Sequence, residues 1–278
     1  MTTLLVGGTG KTGSLLAKLI HTAGHTFLIA SRLGVAPEPF KAIKFDWTDS
    51  ATFENPFKAD PNIDRVYLIT PSVTEVLTIV KPFVDLAISK GVKRFVLLSG
   101  SQTEPGSPFI GKLHEYIVQL GVDYTVLRPT WFIENFGTMF YHSIRENNEI
   151  FSVTQSGRIP FIGADDIAKA AFDALFSEKS PNKDYYLAGP GLYSYDEVAA
   201  LLSDVLGRKI THKHLTNEEE QALFQSFGVS KEHAAMLTGR EARIDDGVEE
   251  AIVGTNKTIT GTRTLRQFVE DNKQMWIK

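Results

Sequence analysis

The stretch Thr2-Thr3-Leu4-Leu5-Val6-Gly7-Gly8-Thr9-Gly10-Lys11-Thr12-Gly13 decides the fold. A short apolar run reads as a strand and empties into a glycine-rich turn, "GGTGKTG". That turn has two readings with different chemistry. Gly10-Lys11-Thr12 matches the end of a triphosphate-binding loop, whereas glycines at 7, 10 and 13 match a dinucleotide turn.

The triphosphate loop requires a glycine five positions before the Gly-Lys-Thr triplet, and that position is Leu5, inside the strand. It also requires a metal-holding aspartate at the end of a neighbouring strand, where Tyr67-Leu68-Ile69 runs instead into Thr70-Pro71. The dinucleotide reading needs only what is present. Gly7 permits a tight turn off the strand, Gly10 lets backbone approach a pyrophosphate at a helix N-terminus, and Gly13 lets helix and sheet pack closely.

Working outward, further strands are expected over 26–31, 42–45, 65–70, 94–99 and 124–127, with the first at 3–6. Amphipathic segments separate them. Leu15, Leu16, Leu19, Ile20 and Ala23 share a helical face ending at Gly24; Val76, Ile79, Val80, Phe83 and Ala87 share another ending at Gly91, with Pro82 expected to bend it. Strands spaced by helices indicate a doubly wound α/β fold, a parallel sheet covered on both faces.

After Pro129 the rhythm changes. Residues 150–162 read as two short strands around Gln155-Ser156-Gly157. Asp165 or Asp166 is expected to cap a helix through Phe176, residues 185–187 to form a strand, and Ser194 or Tyr195 to open a helix closed by Gly207. From Thr216 the chain reads as mostly helical. The expected division is a Rossmann domain over 1–130 and a smaller C-terminal substrate lobe over 131–278 that contributes strands back to the main sheet.

Composition narrows the function classes. A formal net charge of −4 gives no reason to expect a nucleic-acid partner or an anionic membrane surface. The chain has no cysteine, which excludes disulfides, thiolate metal sites and cysteine nucleophiles. No leader-like start and no membrane-length apolar run is seen, so the expectation is a cytoplasmic protein with a small-molecule substrate. Oligomeric state is left open.

The end of the second strand chooses the cofactor. An NAD site places an acidic residue there, whereas this chain has Ser31-Arg32, a hydroxyl and a cation suited to the 2′-phosphate of NADP(H). Lys11 adds charge, and Thr12, Thr70 and Pro71 belong to the same expected cofactor site. The alternative for Arg32 is a surface side chain without a cofactor contact. Asp46 and Trp47 either flank the adenine or are a turn aspartate and a packed tryptophan.

With these residues assembled, the chain resembles the NmrA-like branch of atypical short-chain dehydrogenases, and within it the festuclavine and agroclavine dehydrogenases of ergot alkaloid pathways. The resemblance covers nearly the whole length and is carried by "GGTGKTG", "FDWTD", "RFVLLSGS", "GKLHEYI", "YTVLRPTWFIENF", "GRIPFIGADDIA" and "YDEVAALLSDVLGRKITH". It implies an NADPH-binding Rossmann domain, a lobe that closes the substrate pocket, and hydride delivery to a cyclic iminium formed from an amine and an aldehyde. A quinone or enone reductase of the wider NmrA-like group, or a catalytically silent NADP(H) sensor, would retain the same glycine turn.

Ordinary short-chain dehydrogenases carry a tyrosine acid four residues before a lysine. Aligned on Lys112, that position is Pro108, so the usual acid is absent; Tyr116 follows Lys112 in the opposite order. An iminium needs no such acid, because hydride addition yields a neutral amine. Lys112 matches the family's ribose lysine and, with Ser99, is a candidate for positioning rather than acid catalysis. Ser101, His114, Thr130, Trp131 and Phe132 are candidate substrate contacts. The aromatic pair suits a cationic, indole-like substrate, or packs the lobe. His212 and His214 share a strand face without a third ligand at suitable spacing, so a solvated face and no metal are expected.

Overall fold

The computed structural model describes residues 1–277 of the 278-residue chain. Its strands are β1 (Thr2–Val6), β2 (Phe27–Ser31), β3 (Ala42–Lys44), β4 (Ile63–Leu68), β5 (Arg94–Leu98), β6 (Asp123–Pro129), β7 (Glu149–Ser152), β8 (Lys183–Ala188), β9 (Thr211–His214) and β10 (Thr258–Thr260). The helices are α1 (Lys11–Thr22), α2 (Asn55–Ala59), α3 (Val76–Ser89), α4 (Ile110–Gln119), α5 (Ala164–Phe176), α6 (Tyr195–Leu206), α7 (Asn217–Ser226), α8 (Lys231–Ala242) and α9 (Leu265–Asn272).

Eight strands form a parallel sheet in the order β10-β8-β6-β5-β4-β1-β2-β3. The chain leaves β1 in one direction through β2 and β3, then returns to the other side of β1 with β4. That reversal is the topological switch point at which open α/β sheets bind ligands beyond the strand carboxyl ends. The glycine turn lies there. β7 and β9 pair separately, in parallel, as a two-stranded sheet.

The described chain divides into two compact units, the first comprising Met1–Arg128 with Ile167–Tyr185, the second Pro129–Asp166 with residues from Tyr186 onward. In the first unit the later residues of β1, β4 and β5, such as Leu4–Val6, Val66–Leu68 and Phe95–Leu97, are buried on both faces, as strands covered by helices must be. Leu4, Val66, Phe83, Phe95, Leu113 and Ile117 are among its fully buried core residues. Arg94, itself buried, closes the end of α5 by donating to the carbonyls of Leu175 and Ser177 at 3.1 and 2.7 Å. In the second unit Phe136, Phe140, Tyr195, Val198, Leu202 and Trp276 build a separate core.

Two expectations for the second half need correction. Residues 150–162 hold one strand, β7, rather than two, because its backbone groups pair with β9 while Ile159 and Ile162 make isolated bridges to Tyr193 and Phe132. Helix α5 begins at Ala164, so Asp165 and Asp166 lie in its first turn instead of capping it. The amide of Ala164 donates to Glu134 Oε1 at 3.0 Å, and Asp166 accepts from the amides of Thr262 and Arg263. Ser194 does cap α6, through a capping box with Glu197, and Gly207 ends the helix at φ 65°.

Candidate functional site

At the end of β1 the chain turns at Gly7, whose φ of 82° belongs to the left-handed region. A Cβ on Gly13 would lie 2.4 Å from the Gly7 carbonyl oxygen and 2.7 Å from Gly8 Cα, so the first turn of α1 packs directly on the loop. Gly10 occupies the N-cap and supplies no side-chain acceptor, and no acidic residue stands in the first turn. The first amides of a helix have no partner within it. Here they open onto a glycine-lined cradle at the positive end of the helix dipole, and these residues fit a pyrophosphate.

The neighbouring side chains are divided in their commitments. Lys11 is exposed at the first helical position. Thr12 is turned inward: it is buried, and its hydroxyl lies 2.9 Å from that of Tyr67 on β4, so any contribution to an anion comes from its backbone amide. Burial pushes the Tyr67 phenol far above its ordinary range, and it stays neutral. Thr70 and Pro71 follow β4 and are half-buried beside the turn, where Ile69 packs against Gly7.

At the end of β2 the Ser31 hydroxyl, expected to share in phosphate recognition, is engaged in its own turn. It donates to the Val35 carbonyl at 2.8 Å and accepts from the Val35 amide at 3.1 Å. Arg32 is exposed. Asp46 accepts from the amide and hydroxyl of Thr48, and these bonds, with smaller help from the charges of Arg32 and Lys44, hold its carboxyl below the usual range. Trp47 packs edge-on against Phe45, Phe83 and Phe53 at centroid distances of 4.8, 5.5 and 5.8 Å.

Beyond β5, the Ser99 hydroxyl is buried without a hydrogen-bond partner among the described residues, while its amide donates to Leu127. The following loop is anchored by a group that sequence reading missed. Arg128, 1% exposed, donates to the Ser101 carbonyl at 2.8 Å and pairs with Glu104 and, at 2.7 Å, with Asp184. A cation in a strand as apolar as Val126-Leu127-Arg128-Pro129 was the available signal, since such a charge must be paired. On α4, Lys112 is exposed and His114 buried. Tyr116 donates its hydroxyl to Asp85, with the Lys81 ammonium 4.8 Å over its ring; burial and Asp85 raise its pKa. It is therefore committed to the α3–α4 surface.

In the second unit the Thr130 hydroxyl donates to the Pro160 carbonyl at 2.6 Å. Trp131 packs on the second core, and Phe132 bridges to Ile162 while remaining half-buried. His212 departs from expectation. Its imidazole has no exposed surface and lies between Ser152 and Asp196, the latter supplying a third candidate ligand beside His212 and His214. Asp196 was overlooked because it precedes His212 by 16 residues on another element.

The fold is of the Rossmann type, its open glycine turn fits a dinucleotide, and the sequence comparisons narrow this. The NmrA-like family profile matches residues 1–257, and the chain belongs to that family. It is 41% identical to the agroclavine dehydrogenase of Claviceps fusiformis, covering 100% of this chain and 99% of that one, and 39% identical to the festuclavine dehydrogenase of Aspergillus fumigatus, covering 100% of each. In fold it is similar to an NADPH-dependent quinone oxidoreductase of Escherichia coli, with TM-score 0.77, 21% identity and coverage of 97% and 99%. A triphenylmethane reductase of Citrobacter gives TM-score 0.75, 21% identity and coverage of 98% and 99%. Among the described residues no helix is long and apolar enough to cross a membrane.

Proposed function

We propose that the protein is an NADPH-dependent reductase that delivers hydride to a cyclic iminium in clavine alkaloid formation. The observation that carries this reading is the pairing of an open, uncapped glycine turn with the lack of a proton donor at the expected place. Pro108 occupies the tyrosine position, and Tyr116 is tied to Asp85. Full-length relatives at about 40% identity bear clavine dehydrogenase names, which supports the substrate class.

Bound NADPH would supply the hydride. The chain's own part is to bind and orient. The first amides of α1 hold the pyrophosphate, Arg32 meets the 2′-phosphate, and Ser31 shapes the turn that presents Arg32. Lys11, Asp46, Trp47, Thr70 and Pro71 complete the cofactor contacts, and Lys112 holds the ribose. Ser99 offers its unpartnered hydroxyl to substrate or nicotinamide; Ser101, His114, Thr130, Trp131 and Phe132 contact the substrate, whose charge the aromatic rings attract. An iminium carbon is already electrophilic, so positioning alone supplies up to roughly 7–11 kcal/mol of barrier reduction.

The test follows NADPH absorbance while the protein receives a tricyclic ergoline precursor bearing an aldehyde and a secondary amine, with a thiol to permit ring closure. A simple quinone is run in parallel. Oxidation of NADPH with the precursor, yielding a tetracyclic amine, is the expected result. Cofactor binding without turnover of either compound would sink the reductase reading in favour of a sensor, and turnover of the quinone alone would move the assignment to the wider family.

A further inference from the structure

The second unit gathers side chains from three elements at the start of α6. Ser152 ends β7, His212 and His214 project from one face of β9, and Asp196 stands in the first turn of α6. The His212 Nε2 lies 2.8 Å from Ser152 Oγ and Nδ1 lies 3.0 Å from Asp196 Oδ1, while the ring centroids of His212 and His214 are 4.2 Å apart. One ligand atom from each of Asp196, His212 and His214 can be chosen so that all lie within 4.8 Å of one another.

We propose that Asp196, His212 and His214, none of which the reductase reading uses, form a binding site for a divalent transition-metal ion of the zinc type. The donor set selects the ion class. Two imidazole nitrogens and one carboxylate oxygen suit zinc, nickel or copper, whereas magnesium and calcium prefer oxygen ligands throughout.

Hydrogen bonding around His212 supports the assignment. One ring nitrogen of His212 faces the Ser152 hydroxyl, itself bonded to the Thr154 carbonyl at 3.3 Å, and the other faces the Asp196 carboxylate, so the imidazole is held in one orientation with Nδ1 beside Oδ1. A ligating histidine held in orientation through its other ring nitrogen is characteristic of metal sites.

The distances agree with this. Zinc bonds of about 2.0–2.2 Å in tetrahedral geometry separate neighbouring ligand atoms by roughly 3.3 Å. The Nδ1 to Oδ1 distance of 3.0 Å is close to that value as it stands, and the His214 ligand atom, within 4.8 Å of the others, has at most about 1.5 Å to close. Both Asp196 and His214 are exposed and able to adjust. Asp245 adds negative potential near His214 while its carboxylate accepts from the amides of Gln155, Ser156 and Gly157. The ion would tie the start of α6 to β9, and water would complete its coordination.

The experiment uses the full chain, freed of metal with a chelator and then titrated with zinc against a chromophoric competitor, with thermal unfolding in parallel and magnesium as the hard-cation control. Expected are one zinc per chain, a raised midpoint of unfolding with zinc but not magnesium, and at least about a tenfold loss of affinity in both His214→Ala and Asp196→Asn. Both positions are exposed, so the variants should keep the native circular dichroism and NADPH affinity, whereas a change at buried His212 risks the fold. No stoichiometric zinc binding would overturn the proposal. So would equal zinc affinity in the wild type and both variants, because the ion would then sit on other histidines.

Discussion

Helices α1 and α6 begin in opposite chemical states. At α1 the N-cap is Gly10, the first turn carries no acidic residue, and the amides open onto a cradle floored by Gly7, Gly8 and Gly13. At α6 the N-cap is Ser194, whose hydroxyl accepts from the Glu197 amide at 3.2 Å while the Glu197 carboxylate accepts from the Ser194 amide at 2.8 Å. Asp196 and Glu197 add two negative charges there. Both helices carry the same dipole, yet one start invites an anion and the other excludes it. A helix terminus is open to an anion where the sequence declines to cap it, and the capped start turns its other first-turn carboxylate, Asp196, toward His212.

The most severe way to break this comparison is to fill the α1 cradle. Gly13→Val places methyl groups where even a Cβ meets the Gly7 carbonyl at 2.4 Å. Overpacking costs of about 1–3 kcal/mol are ordinary in cores, and here the displaced atoms are the phosphate-binding loop itself. NADPH affinity measured by fluorescence titration should fall at least about a hundredfold. Retained affinity would show that the cofactor does not use the turn. Next in size, Arg32→Glu should weaken NADPH by on the order of tenfold to a hundredfold while changing NADH little, since only NADPH carries the 2′-phosphate. Equal losses for both would defeat the assignment.

A third experiment sharpens the α6 side. Tyr195, its first residue, is buried beside Glu241 and Glu220, with Glu249 a further negative neighbour, and Thr238 stands by the pair. Burial, strengthened at Glu241 by the charge of Glu220, raises both carboxyl pKa values, while Glu220 is also held by the Val153 amide at 3.2 Å. Folded values above the unfolded ones mean that the native state binds the extra protons. The resulting stability is complete below the ordinary glutamate range and is lost as pH rises through the raised values. Chemical denaturation should therefore show Glu241→Gln flattening the decline in stability from mildly acidic to alkaline pH; an unchanged slope would mean that the acids titrate normally. The smallest effect is expected from Ser194→Ala, which removes half of the capping box for about 1 kcal/mol by urea denaturation. It should leave NADPH affinity intact, in contrast to changes at the uncapped helix.

Both starts were legible beforehand, and for the same reason. The glycine turn is one contiguous segment, and strand, turn and helix appear in their required order in the sequence. The capping box is equally local: Ser194 and Glu197 stand three apart and close on each other. What sequence reading did not reach were the partners of individual polar side chains. The Ser31 hydroxyl bonds the backbone of Val35, Thr12 faces Tyr67, and Glu134 rather than Asp165 or Asp166 meets the start of α5. The supposed second strand after Gly157 failed because β7 found its partner in β9, which follows α6 in the chain.

The sequence by itself determined the parallel α/β alternation, the dinucleotide turn and the missing tyrosine acid at Pro108. These depend on apolar periodicity, backbone freedom at glycine and the residue present at a position, all of which act over a few residues. Only the tertiary structure decided that Arg128 joins Ser101, Glu104 and Asp184, that Tyr116 is held by Asp85, and that Asp196 meets His212 and His214. Such meetings are fixed by how elements distant in sequence pack to bury apolar surface, and a polar side chain takes whatever partner that packing brings to it.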